Sequence, residues 1–124
     1  MAAFTDAPLD PQQRLAQQRE TRETIKALLE DGSNPEAEHI LEHHFASDSF
    51  DRLEKLAVAA FNLGFEVTDA EELRLDDGAL WFCCDVVGEG LLNADLIDSQ
   101  TDQMMRLAQQ HAVQYDGWGT YLEE

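Results

Sequence analysis

The stretch Ala79-Leu-Trp-Phe-Cys-Cys-Asp-Val-Val87, entered through Asp76-Asp77-Gly78, constrains the fold more than any other part of this sequence. Asp-Asp-Gly is a strong hairpin signal, because glycine accepts the positive φ of a tight turn. The run after it therefore reads as a central strand, and its antiparallel partner must come just before the turn. Phe65, Val67 and Leu73 or Leu75 supply that partner. No apolar stretch approaches the roughly 18 residues of a membrane-spanning helix.

Two more helices and two more strands fit around this hairpin. The alternation of His39, Leu41, His43 and Phe45 with Ile40, Glu42, His44 and Ala46 predicts a first strand. Ser47-Asp48 can then cap a helix on which Phe50, Leu53, Leu56, Ala57, Ala60 and Phe61 share one side, ending at Gly64. After the central strand, Asn93 or Asp95 starts a helix with Leu96, Ile97, Met104, Leu107, Ala108 and His111 on one face and Asp95, Asp98 and Asp102 on the other. Val113 and Tyr115 alternate with Gln114 and Asp116 in a last strand, broken by Gly117 and Gly119.

The order β-α-β-β-α-β predicts an α+β, ferredoxin-like sandwich: four antiparallel strands with both helices on one face. An extra helix precedes it, from an Asp10-Pro11 start to a Gly32 stop. Only its second half, with Ile25, Leu28 and Leu29, carries enough apolar side chains to dock. One domain over 10–124 follows, comprising the helix over 10–31 and the core over 36–124, behind a flexible N-terminus at 1–9. Alternation along the central strand turns Trp81 and Cys83 away from the helices, where the extra helix or a second copy of the chain would cover Trp81.

Charge removes several function classes. The 124 residues hold 8 Lys+Arg against 26 Asp+Glu, a net −18. Such a field repels polyanions and acidic membrane surfaces, so neither nucleic acid nor membrane is expected as a partner. RNA-recognition modules share this topology, but their basic and aromatic signature is absent, and 63–124 sets 14 carboxylates against Arg74 and Arg106. Adjacent Cys83 and Cys84 read as reduced cytoplasmic thiols. With His39, His43 and His44 they include zinc-type ligands, yet the spacing of a zinc site is missing, so no metal and no cofactor are expected. Acidic neighbours such as Asp85 and Glu89 also disfavour a reactive thiolate, and no catalytic constellation stands out.

What remains is the acidity. The row Asp95, Asp98 and Asp102 is the first candidate surface for a cationic partner, with Asp76, Asp77 and Trp118 behind it, chosen on charge and expected exposure. Carboxylates accept paired guanidinium hydrogen bonds, so an arginine-rich segment fits such a row. Self-association through the Trp81 face is the alternative.

Six blocks in this order resemble the bacterial regulator of ribonuclease E activity B family: Leu-Leu-Glu-Asp-Gly-Ser at 28–33, Glu-His-His at 42–44, Leu-Gly-Phe-Glu-Val-Thr-Asp at 63–69, Cys-Cys-Asp at 83–85, Leu-Asn-Ala-Asp-Leu-Ile-Asp at 92–98 and Tyr-Asp-Gly-Trp-Gly-Thr-Tyr at 115–121. The resemblance implies a ferredoxin-like cytoplasmic protein that inhibits ribonuclease E by binding its arginine-rich C-terminal scaffold. It also implies altered makeup of the RNA-degrading assembly and altered transcript abundance. Some relatives continue into a long acidic tail, where this sequence has Glu123 and Glu124.

Overall fold

A computed structural model of the chain describes residues 8–123. Most of the N-terminus expected to be flexible, residues 1–7, lies outside the described residues, whereas Leu9 is buried. The elements are α1 (Pro11–Glu30), β1 (His39–Ser47), α2 (Phe50–Asn62), β2 (Glu66–Val67), β3 (Glu71–Arg74), β4 (Leu80–Gly90), α3 (Ala94–His111) and β5 (Gln114–Gly119). Local chemistry sets the helix starts. The side chains of Asp10, Ser49 and Asn93 accept the backbone N–H of Gln12, Arg52 and Leu96, satisfying donors that the first turn leaves open. For α2 the cap is therefore Ser49, just beyond the Ser47-Asp48 pair that the sequence suggests.

The sheet runs β2-β4-β1-β5, and β3 also pairs with β4. All pairings are antiparallel. Because β1 already occupies one side of β4 opposite Phe82 and Val87, both β2 and β3 lie along the other side. They are two pieces of one edge strand, so the five strands fill the four positions of a ferredoxin-like sandwich. The break falls at Thr68, which binds β4 in an irregular way: its N–H donates to the Asp85 carbonyl and its hydroxyl accepts the Asp85 N–H.

Alternation in β1 places His39, Leu41, His43 and Phe45 under the helices, each essentially inaccessible. Phe45 packs with Leu53, Leu56 and Ala60 of α2 and Met104, Leu107 and Ala108 of α3. This removes the apolar surface of the middle of α2 and the C-terminal half of α3 from water. Two buried histidines sit in the same layer, and each is satisfied. His43 donates Nε2–H to Gln100 Oε1 and accepts the Tyr115 hydroxyl at Nδ1, both at 2.9 Å. Burial pushes its pKa down to about 4, which keeps the ring neutral. Gly88 makes room for this bond, since a Cβ there would lie 2.9 Å from Gln100 Oε1 and 3.1 Å from the Phe65 ring. His39 joins Ala37 O to Ser33 Oγ, and Ser33 Oγ accepts the backbone N–H of Glu123. The Asn34 N–H donates to the Glu123 carbonyl as well, so the loop after α1 is tied to the segment after β5.

The first helix departs from its sequence reading. Leu15 and Leu29 are exposed, while the polar Gln17 and Thr21 are buried. Thus Ile25 of the second half docks as expected, against Leu41, Ile97 and Trp118, but α1 also docks through the polar Gln17 and Thr21.

Candidate functional site

The sequence-predicted acidic row does not form one free face. Asp98 and Asp102 are both taken by α1: Arg22 holds Asp98 in a forked pair with bonds of 3.0 and 3.2 Å, and Arg14 holds Asp102 in a second fork with bonds of 2.9 and 3.1 Å. Their side chains retain only 14% and 22% exposure. The residues missed in sequence are therefore the two arginines. A signal was available, because Arg14, Arg19, Arg22 and Lys26 put half of the chain's eight basic residues on this one helix. Asp95 is exposed and lies near enough to Arg22 to help raise its pKa, after the hydrogen bond and charge of Asp98.

Trp118 was expected at the surface and is 7% exposed. Its Nε1–H donates to Thr21 Oγ1 at 3.0 Å, and its ring packs with Leu41 and Ile97. The reason is a bulge. Tyr115 pairs with Phe45 and Trp118 with His43, with a register shift between them, so two residues three apart both turn toward the helices. Gly117, at φ +91°, makes the bulge, and a Cβ there would press to 3.3 Å from Glu20 on α1. Trp118 thus lies buried under α1 rather than at the surface.

Asp76 and Asp77 stay exposed at the β3–β4 turn, where Asp77 also accepts the Ala79 N–H. On the open side of the sheet, Trp81 pairs with Leu73, Cys83 with Glu71, and His44 with Asp85 through a 2.7 Å bond. The extra helix leaves this side uncovered, because α1 lies against α3 on the opposite face. Among the described residues, no three His, Cys, Asp or Glu side chains cluster as metal ligands. Burial and the negative neighbours Glu71, Asp85 and Asp116 raise the Cys83 pKa, and burial followed by Asp85 pushes Cys84 up to about 11. Both thiols stay protonated near neutral pH.

A second departure concerns α2. Leu53, Leu56 and Ala60 are buried as the periodicity requires, but Phe50 and Phe61, assigned to the same face, are 47% and 68% exposed. They border a groove of about 420 Å³ between α2 and the broken edge strand, with Cys84 among its lining residues. Phe50 is held edge-on to Phe82 with ring centres 5.4 Å apart. The apolar stripe of α2 is wider than the sheet beneath it, since the edge strand leaves regular pairing between Val67 and Glu71.

These features define an acidic α+β protein with its helices on one face of an antiparallel sheet. No helix among the described residues is long and apolar enough to cross a membrane. The family model "Regulator of ribonuclease activity B" matches residues 18–120. A protein of that name from Shewanella amazonensis is 58% identical over 107 residues, 86% of this chain and 76% of its own length. Those from Escherichia coli strain K12 and Photobacterium profundum are 54% and 56% identical, each over 82% or more of both chains. The chain belongs to the regulator of ribonuclease activity B family.

Proposed function

We propose that this protein is a non-catalytic regulator of ribonuclease activity. It acts in the cytoplasm by binding the arginine-rich C-terminal scaffold of ribonuclease E, inhibiting cleavage and changing the makeup of the RNA-degrading assembly and the abundance of transcripts. The observation that carries the reading is the disposition of charge. Four of the eight cations are held in ion pairs, Arg14, Arg22, Arg52 and Lys55, so the carboxylate excess faces outward. Such a surface draws a cationic segment quickly and loses its pull in salt. Asp95, Asp76 and Asp77 are the exposed members of the candidate set. Asp98 and Asp102 serve to hold α1 instead.

Calorimetric titration with the arginine-rich segment of the host's ribonuclease E, at two salt concentrations and with an RNA hairpin as control, tests this. Saturable binding weakened by salt, with none to RNA, is the expected result. No binding at either salt would overturn it. Self-association through the Trp81 face is the second reading, supported by exposed Leu73 paired across the strands with half-buried Trp81 on the side of the sheet away from the helices. Sedimentation separates the two, and a dimer without partner would favour the second.

A further inference from the structure

We infer that the groove between α2 and the broken β2–β3 edge receives a basic, extended segment of a partner protein through one bulky apolar side chain. Exposed Phe50, Val58 and Phe61 line one wall, a contiguous apolar surface of the sort that marks an interaction site. The opposite wall is Val67 to Ala70, where the edge strand departs from β4. A volume of about 420 Å³ falls in the range of pockets that enclose most of a bound group.

Charge selects the occupant. Glu54 and Asp69 stand among the lining residues, and no Lys or Arg does. The cations nearest along α2, Arg52 and Lys55, are held by Asp48 and Asp51. Beyond the groove the edge strand presents Glu66, Glu71 and Glu72, all exposed. Its outer side has no partner strand among the described residues. Edge carboxylates deter pairing with a second copy of this chain, which brings a further net charge of −18. The same carboxylates attract a cationic strand, for which the open edge offers main-chain hydrogen bonds and the groove a side-chain pocket.

The inference deepens the proposed function, since it takes the partner to be cationic, and its test separates the two. Two short synthetic arginine-rich peptides, identical except for a central tryptophan or alanine, would be titrated calorimetrically into the full chain, with amide chemical shifts followed by NMR. The tryptophan peptide should bind on the order of tenfold more tightly, as expected for an aromatic anchor in a pocket, with shifts concentrated at 50–61 and 67–74. Val58→Arg, at a solvent-facing position, should remove that gain. Leu15→Arg on α1 should leave it intact. Equal affinities, a gain that survives Val58→Arg, shifts confined to another surface, no binding of either peptide, or a second copy found in the groove would each overturn the inference. Failure of the ribonuclease E segment to bind, with the tryptophan gain present and lost in Val58→Arg, would reject the ribonuclease E reading and leave the groove standing.

Discussion

Helices α2 and α3 share one face of the sheet, and they differ in what lies on their outer flanks. α3 is covered by a helix that is polar on average, docked by Thr21 on the Trp118 indole and by two forked arginine pairs. α2 carries the more apolar outer flank and has no neighbour there among the described residues. The chain thus covers Asp98 and Asp102 of its acidic row and leaves an apolar stripe open. The reason is that α1 supplies arginines for Asp98 and Asp102, whereas across the groove the broken edge strand leaves Phe61 68% exposed. Composition along one helix face therefore misleads when a second element brings the complementary charge from elsewhere in the sequence.

Removing the anchor of the covered side should have the largest effect. Trp118→Ala empties a buried site and takes from the Thr21 hydroxyl the shorter of its two donors, leaving only Gln17 Nε2 at 3.4 Å, and should cost about 3–5 kcal/mol in urea unfolding. Acid should loosen the same region. The His43 pKa falls from 6.5 to about 4 in the folded chain, so between those values the unfolded chain binds the extra proton and stability rises with pH. The loss on acidifying through that window is on the order of 3 kcal/mol, and His43→Gln should flatten this part of the pH profile relative to the parent chain. Asp98→Asn with Asp102→Asn should lower stability by less and speed amide exchange in α1, with the difference from the parent fading at high salt. At the open side, Phe61→Ser should shift unfolding by no more than about 0.5 kcal/mol. A larger loss there would mean that the flank is packed, and the contrast with α3 would collapse.

The sequence disclosed the scaffold well, because its signals are local. Alternation through His39–Phe45, the Asp76-Asp77-Gly78 turn and the caps of α1 and α3 each act within a few residues, and together they dictate a ferredoxin-like order. The candidate surface was less legible, since its decisive contacts are remote in sequence. Arg14 meets Asp102 across 88 positions and Thr21 meets Trp118 across 97. Strict alternation also failed at Gly117, where the bulge turned Trp118 inward. The exposure of Phe50 and Phe61 could not be read from their helical spacing, because it depends on an irregular turn at Thr68 in another strand.

The tie between Ser33 and Glu123 has a consequence for how the nascent chain matures. The bonds that complete the Ser33 and His39 environment come from a residue 90 positions downstream, and β1, central in the sheet, pairs only with strands made after it. While the ribosome is still producing α3, the apolar face of β1 has no finished β5 alongside, so cooperative folding waits until residues 114–123 have been made.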